Sequence, residues 1–413
     1  MHDTQSTGSS PRRIRLNNVV AALQGLYGAG RMSRADLARK LGLNRSSSGQ
    51  IVAELTQGGL VREVDVAAAP AGVAAGSRTR LAGRPGILLE LVPDAACFVG
   101  IEIGVEHISA VVIDLCGRTA VTRKEAFDAP SAPVEAAVAR GVALAFGAMG
   151  SAMTGRCRGV GVSAPMHIRP DGTVSLAPLI GWRDVELVGI VAAHLPKAMP
   201  ILIENDANAF AIGDGYRHGE AGVTLYLDME TGIGGGILID GKLFRGGHGL
   251  AGEIGHTLVP GSGGLSLERL IGREAVVAKY RLAAQAAGAD LADLIRAVGD
   301  REPAAVSVAE DWARHLAHAL VQACRLIDPG RIVLGGSVAA LYPLVAARVA
   351  AHMGSGQTLA FPVPRIVVDA SAEFGSAFGA ACLMHQRFLS LKNETLIGDD
   401  ALAAAEVTGA ARG

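Results

Sequence analysis

The chain has 413 residues, of which 50% are apolar, 4% aromatic and 19% charged. This composition excludes a disordered chain, which would be poor in apolar residues and high in net charge, and the length predicts two to four domains. Every eighteen-residue window contains a charge, and the polar start, Met1 to Pro11, has no apolar core. We therefore expect no membrane-spanning helix, no membrane partner and a cytoplasmic location. The five Cys residues form no CxxC pair, which argues against a disulfide framework and a cysteine-rich zinc site.

The net charge of −1 is divided unevenly along the chain. Residues 1–90 contain 12 Lys and Arg and 6 Asp and Glu, whereas the remainder contains 26 and 33. A small basic head on a larger acidic body predicts a polyanion-binding module joined to a second unit.

The basic head shows three helical segments followed by strands. Ser33, with Asp36 three residues later, is close to a capping box and predicts a helix start. Gly42 supplies the next turn, and Asn44 is a suitable cap for the helix after it. These signals place helices at 17–27, after Ser33 and at 45–57, and strands at 60–64 and 87–91.

Two helices joined by a short turn that contains glycine are typical of a helix-turn-helix, whose second helix enters the major groove of DNA. Arg pairs with guanine, Gln with adenine and Ser with either. Residues 65–80 are rich in Ala and Gly and predict a wing loop, and an Arg between Gly and Pro suits a narrow minor groove. The predicted DNA-contacting residues are Arg34, Arg45, Ser46, Ser47, Gln50 and Arg84. The alternatives are a helical hairpin that contacts protein and, for Arg84, a tight turn.

Beyond Cys97 strands alternate with helices, which predicts a mixed α/β sheet. The second half repeats the opening, because in both a strand, a glycine turn and a returning strand follow one another. Two such lobes facing each other would enclose a cleft. Strands are predicted at 98–104, 107–114, 119–127, 158–163, 223–229, 237–239, 242–244 and 331–334, a helix at 133–149, and a glycine turn at 232–236.

Four motifs carry a resemblance to a known family. They are Glu204-Asn205-Asp206-Ala207-Asn208, Gly232-Ile233-Gly234-Gly235-Gly236, Ala251-Gly252-Glu253-Ile254-Gly255-His256 and Leu334-Gly335-Gly336. From about residue 95 to 390 the chain resembles the ROK family (repressors, open reading frames, sugar kinases), and its head resembles the winged helix-turn-helix of the repressor branch. The resemblance implies an α/β protein with an N-terminal winged helix-turn-helix and a two-lobed actin-like ATPase (ribonuclease H-like) fold. The implied boundaries are 1–92 for the head, 93–205 and 206–390 for the lobes, and 391–413 for a tail.

In sugar-binding members of the family, the matches of five polar residues contact hydroxyl groups. They are Asn205, Asp206, Glu253, His256 and Glu268. The chemistry agrees, because sugar hydroxyls donate and accept, carboxylates accept, and Asn and neutral His do both. The resemblance therefore implies a monosaccharide or a derivative as ligand. Taken singly, Glu253 and His256 also fit an ordinary buried polar pair, and Asn205-Asp206 a capped turn.

Kinases of the family use the match of Asp206 as a general base and carry Asp-x-Gly-Gly-Thr-Lys at the first turn. Here that turn reads Glu102-Ile103-Gly104-Val105-Glu106-His107, and Glu230 replaces a glycine at the second turn. A carboxylate about 4 Å from a phosphate charge costs on the order of 4 kcal/mol near a protein surface. Phosphoryl transfer depends on positioning and charge stabilisation, so we expect a degenerate ATP site and no catalytic residue. The alternative is an ATP-dependent hexose kinase with Asp206 as the base.

Many members of the family bind structural zinc through the match of His256 and three Cys after it. This chain has no Cys there, and Ser266 stands where the last one is expected. Ser is a poor zinc ligand and one His cannot hold the ion, so no metal and no other cofactor is predicted. We expect packing of Leu265 and Leu267 to order the segment instead.

These features lead to the hypothesis of a sugar-responsive transcriptional repressor. A homodimer or tetramer would bind an operator with dyad symmetry, and sugar between the lobes would shift the spacing of the heads. The sugar would either release the chain from DNA or promote its binding. A third interpretation is a vestigial pocket in a body that serves as a scaffold for a partner.

Overall fold

A computed structural model describes residues 11–65, 87–169, 171–219, 221–356, 362–369 and 372–390. Most of the predicted wing loop, Arg84 and the tail at 391–413 lie outside these ranges. No helix within them is both long and apolar enough to cross a membrane.

The head consists of three helices and a three-stranded sheet of order β1-β3-β2. The Ser33 side chain accepts a hydrogen bond from the Asp36 backbone N–H (3.1 Å) at the start of α2, and Gly42 ends this helix with a φ of +64°. The Asn44 side chain accepts from the Ser47 N–H (2.8 Å) and starts α3. The predicted caps are therefore confirmed. The elements are α1 (Pro11–Ala29), β1 (Arg31–Ser33), α2 (Arg34–Leu41), α3 (Arg45–Gln57), β2 (Val61–Asp65) and β3 (Ile87–Leu91).

The first lobe is built on a five-stranded mixed sheet of order β11-β7-β4-β5-β6. The hairpin strands β4, β5 and β6 are antiparallel, whereas β7 and β11 add in parallel on the other side of β4. The elements are β4 (Cys97–Ile103), β5 (His107–Asp114), β6 (Thr119–Ala126), α4 (Val134–Gly147), α5 (Ser151–Gly155), β7 (Cys157–Ala164), β8 (His167–Ile168), β9 (Val174–Ala177), β10 (Trp182–Val185), α6 (Leu187–His194) and β11 (Ile201–Asn205).

The second lobe repeats this topology in the sheet β14-β13-β12-β15-β16. In each lobe the first strand is central, with its second and third strands on one side and its fourth and fifth on the other, which confirms the predicted repeat. The elements are α7 (Asp206–His218), β12 (Val223–Met229), β13 (Ile233–Ile239), β14 (Lys242–Leu243), α8 (Leu267–Ile271), α9 (Arg273–Ala284), α10 (Leu291–Gly299), α11 (Pro303–Ile327), β15 (Arg331–Gly335), α12 (Tyr342–Ser355), β16 (Arg365–Val368) and α13 (Gly375–Phe388).

The prediction of a glycine turn through residues 234–236 is wrong, because these residues lie inside strand β13. The reason is close packing against α7. A Cβ on Gly234 would lie 2.6 Å from the Ala207 Cβ, and one on Gly236 would lie 2.8 Å from the Ala211 Cβ. Glycine is needed here to let strand and helix approach, and the turn itself is formed by residues 230–232.

Helix α13 belongs to the segment 206–390 but packs on the first sheet. A Cβ on Gly100 of β4 would lie 1.9 Å from the Ala377 carbonyl oxygen, and one on Gly161 of β7 would lie 2.1 Å from that of Ala380. The apolar residues of α1 join the same core, so the head is packed onto the body around α13. The head residues in this core include Val19, Val20, Leu23, Leu26, Ile51, Val52 and Leu55.

Candidate functional site

A cavity of about 650 Å³ lies between the two lobes. Its walls are the β4–β5 turn, the β12–β13 turn, the start of α7, and the segments around residues 165–167 and 253–275. All five residues predicted to bind ligand line it, namely Asn205, Asp206, Glu253, His256 and Glu268.

Asn205 and Asp206 stand where strand β11 passes into α7. The Asn205 side-chain oxygen accepts from the Asn208 N–H (3.1 Å) and caps the helix, so the alternative of a capped turn also holds for this residue. The Asp206 carboxylate accepts from the Ala207 N–H (2.8 Å). Burial raises the pKa of Asp206 to about 7, and the nearby carboxylates of Glu102 and Glu253 raise it as well. Near neutral pH this group can therefore accept or donate a hydrogen bond to a hydroxyl.

Glu253 lies between two histidines on the cavity wall. One of its oxygens is 3.5 Å from Nδ1 of His167, and the other is 3.7 Å from Nε2 of His256. Both distances exceed a good hydrogen bond, so the three side chains keep capacity for a ligand. Sequence reasoning missed His167, because nothing in its own segment marks it as a partner of Glu253.

Glu268 has a positioning contact with the second turn. Its carboxylate accepts from the Ile233 backbone N–H (3.1 Å). A Cβ on Gly232 would lie 3.0 Å from the same oxygen. The carboxylate is therefore held against the β12–β13 turn at the edge of the cavity.

Asp228 is a further acidic residue of the cavity that sequence reasoning missed. Burial raises the pKa of its carboxyl well above the usual range, and the carboxylates of Asp206, Glu230 and Glu102 add to this effect. The signal was one acidic residue in the otherwise apolar strand β12. The raised pKa values of Asp228 and Asp206 favour protonated carboxyls, which can donate hydrogen bonds to a ligand.

The region that corresponds to the phosphate cradle holds two carboxylates with protein partners. Glu106 forms an ion pair with Arg273 across the lobes. The Glu230 carboxylate accepts from the Ser337 backbone N–H (2.7 Å) and from the Ser337 hydroxyl (2.7 Å). The Arg273 guanidinium and the N–H and hydroxyl of Ser337 are thus already bound to carboxylates.

The segment after His256 does not fit a zinc ion. In the part of the chain that the structure describes, no three His, Cys, Asp or Glu side chains are grouped for metal binding. The Ser262 hydroxyl donates to the Val259 carbonyl (2.7 Å) and accepts from the Leu265 N–H (3.0 Å), which orders the segment. Leu267 is fully buried, but Leu265 is 45% exposed, so the expectation that both leucines pack is wrong for Leu265.

The predicted DNA-contacting residues of the head differ in availability. Arg45, Ser46 and Gln50 are exposed at the start of α3, and Ser47 is half-buried. Arg34 forms an ion pair with Glu63 of β2.

Comparisons with known proteins agree with this architecture. Residues 98–387 match the ROK family. A xylose repressor of Caldicellulosiruptor bescii is 29% identical over 245 residues, which cover 55% of this chain and 55% of that protein. A glucokinase of Streptomyces coelicolor is 33% identical over 271 residues, which cover 58% of this chain and 81% of that protein. The chain thus spans about half the length of the xylose repressor that it matches.

Solved structures share the fold. A ROK family glucokinase from Streptomyces griseus, in complex with glucose and AMPPNP, is 27% identical and superposes with a TM-score of 0.62 over 70% of this chain and all of that one. A ROK family transcriptional regulator, a homolog of the E. coli Mlc protein, is 20% identical and superposes with a TM-score of 0.73 over 95% of this chain and all of that one. From the match over residues 98–387 and the glucokinase relatives, we conclude that the chain belongs to the ROK family.

Proposed function

We propose that the chain is a sugar-responsive, DNA-binding repressor of carbohydrate-utilisation genes. The proposal rests on the joining, in one packed chain, of two helices linked by a glycine turn, α2 and α3, to a cleft lined by polar side chains whose chemistry suits hydroxyl groups. Helix α3 exposes Arg45 and Gln50 at its start, as a recognition helix does. The antiparallel strands β2 and β3 flank residues 66–86, where a wing would lie.

In this proposal the cleft binds sugar without nucleotide. The ion pair of Glu106 with Arg273 and the contact of Glu230 with Ser337 hold carboxylates where a kinase needs phosphate donors. An anion entering this region would have to displace both. The chain would therefore be a sensor, with no catalytic residue and no metal.

One observation favours a kinase as the second candidate. Asp206 has a pKa of about 7 in the cleft, which suits a general base, and glucokinases are among the relatives. A coupled assay with ATP, magnesium and a panel containing D-glucose and D-xylose separates the two candidates. We expect no turnover; turnover that the Asp206→Asn variant abolishes would establish the kinase.

Two substitutions test whether DNA binding and sugar binding are carried by separate parts of the chain. We expect Arg45→Ala to weaken binding to a duplex that the wild-type chain selects from a random pool by about 1–3 kcal/mol, and to leave sugar affinity unchanged. Glu253→Ala should weaken sugar binding measured by calorimetry and leave the affinity of the sugar-free chain for DNA unchanged. Equal damage to both functions by either folded variant would contradict the proposal. If calorimetry showed no heat of binding with any sugar, the interpretation of the body as a scaffold for a partner would be favoured.

The operator with dyad symmetry expected for this proposal requires a homo-oligomer, a dimer or a tetramer. Light scattering on the purified chain, with and without the selected duplex, measures its mass directly. A monomer that binds DNA as a single copy would contradict this part.

A further inference from the structure

Helices α7 and α13 both run from the cleft to the head. Asp206 in the cavity is the first residue of α7. At the start of α13, the Ser376 hydroxyl donates to the Asp206 carbonyl oxygen (3.0 Å). Ten residues further along α7, about 15 Å at the helical rise, Tyr216 meets the first helix of the head. Helix α7 therefore begins in the cavity, and α13 begins beside the first residue of α7.

The two helices pack as one body. A Cβ on Gly379 of α13 would lie 1.6 Å from the Ala209 carbonyl oxygen of α7, and one on Gly213 of α7 would lie 3.1 Å from the Gly375 carbonyl oxygen. Backbones this close leave no room for one helix to slide past the other without repacking. A displacement at the cleft end of α7 would therefore move α13 as well.

At the head end, three aromatic rings from three segments meet. Tyr27 of α1 lies with its ring centroid 5.6 Å from that of Tyr216 and 5.1 Å from that of His385 on α13. The rings of Tyr216 and His385 are 5.6 Å apart and perpendicular. We call Tyr27, Tyr216 and His385 the Tyr–Tyr–His cluster.

Hydrogen bonds in this cluster have a defined direction. Nε2 of His385 lies 2.8 Å from the Leu115 carbonyl oxygen, which can only accept, so Nε2 carries the proton. Nδ1 of the neutral ring is then an acceptor, and the Tyr216 hydroxyl donates to it. The Tyr216–His385 hydrogen bond thus joins α7 to α13 at the place where both rings pack against Tyr27 of the head.

We propose that Tyr216, with Tyr27 and His385, is a positioning residue that couples the ligand cavity to the DNA-binding head. The inference rests on the proposed sugar-responsive function. A sugar hydroxyl that binds Asn205 and Asp206 competes with the backbone contacts these side chains make at the start of α7. The α7–α13 pair carries the resulting shift to Tyr216 and His385, and the packing of their rings against Tyr27 transmits it to α1.

The test is the response of DNA binding to sugar in the Tyr216→Phe variant, which keeps the ring and removes the hydroxyl. The probe is a duplex selected by the wild-type chain, titrated with and without saturating D-xylose or D-glucose. For the wild type we expect the dissociation constants with and without sugar to differ about 5- to 150-fold, and for Tyr216→Phe less than about 3-fold. Tyr27→Leu, which removes the ring that packs against Tyr216 and His385, should behave in the same way and serves if Tyr216→Phe does not fold.

The matched control is Tyr226→Phe. Tyr226 is fully buried, whereas Tyr216 is half-buried, and the Tyr226 hydroxyl donates to Asp214 (2.9 Å), which lies on α7 but outside the cluster. This variant should keep the wild-type ratio. A wild-type ratio that persists in both Tyr216→Phe and Tyr27→Leu overturns the inference and leaves the proposed function intact.

A second readout does not depend on identifying the sugar. Asp206→Asn changes the charge at the cleft end of α7, and we expect it to change amide hydrogen exchange in residues 19–29 of α1 several-fold. In the Tyr216→Phe background the same change should have no effect there. If Asp206→Asn left hydrogen exchange in α1 unchanged in the otherwise wild-type chain, the inference would be overturned. If DNA binding by the wild type responded to no sugar, only the proposed function would be overturned.

Discussion

The Glu106 carboxylate of the first lobe forms an ion pair with the Arg273 guanidinium of the second. The Arg273 backbone N–H donates to the Glu230 carbonyl oxygen (3.0 Å), so the same residue also touches the β12–β13 turn. The Glu230 side chain in turn binds Ser337. The β4–β5 and β12–β13 turns face each other across the cleft and are thus linked through Arg273, by its ion pair with Glu106 and its backbone hydrogen bond to Glu230.

This linkage predicts that removing the two carboxylates restores affinity for nucleotide. The double variant Glu106→Gln/Glu230→Gln should bind a magnesium complex of a non-hydrolysable ATP analogue at least about tenfold more tightly than the wild type, because each carboxylate costs up to about 4 kcal/mol beside a phosphate and exposure of Glu106 reduces this. Calorimetry measures the change. Glu274→Gln, which removes one exposed charge from the same cavity wall, is the control and should have little effect. Tight binding of the analogue by the wild type would contradict the interpretation that Glu106 and Glu230 keep phosphate groups out of this region.

Helix α3, the proposed recognition helix, offers a second prediction, at Gly49. A Cβ on this residue would meet nothing within 4 Å, and the residue lies inside α3. Gly49→Ala should therefore stabilise the chain by about 1 kcal/mol in urea unfolding, since glycine costs about that much in a helix. If DNA approaches this face, the same variant should weaken duplex binding. Gly28→Ala in α1 is also free of contacts and should leave duplex affinity unchanged.

Much of the fold follows from local patterns, because caps, glycine turns and alternating apolar residues act within a few positions. Strands β5 and β12 begin and end where the sequence predicts. Contacts between distant segments do not follow in this way. The approach of Gly234 to Ala207, the neighbourhood of His167 and Glu253, and the exposure of Leu265 depend on how elements pack. Of the residues that line the cleft, only those that match functional positions of the family could be predicted from the sequence.

The raised pKa of Asp206 predicts that its contribution to stability falls as the pH rises. With a pKa of about 7 when folded and about 4 when unfolded, the folded chain binds more protons between these values, so the free energy of unfolding decreases across that window. Relative to Asp206→Asn, which cannot ionise, the wild type should lose up to about 4 kcal/mol between pH 4 and pH 7. Urea unfolding of both proteins at several pH values measures this. If the free energy of unfolding changed with pH equally in the two proteins, the raised pKa of Asp206 would be contradicted.

The lowered pKa of His385 predicts that its contribution to stability depends on pH in the opposite direction, over a pH range that overlaps that of Asp206. Burial lowers its pKa to about 4, so between pH 4 and pH 6.5 the unfolded chain binds more protons, and the contribution to stability is lost as the pH falls. Protonation would also remove the Nδ1 acceptor that the Tyr216 hydroxyl needs. Relative to His385→Gln, which keeps a donor for Leu115 and does not titrate, the wild type should lose up to about 3 kcal/mol on acidification. The same loss in His385→Gln would mean that other groups govern acid unfolding. The protection of amides 19–29 against hydrogen exchange should decrease over the same pH range in the wild type alone, because α7 loses its hydrogen bond to α13 where both helices pack against Tyr27 of α1.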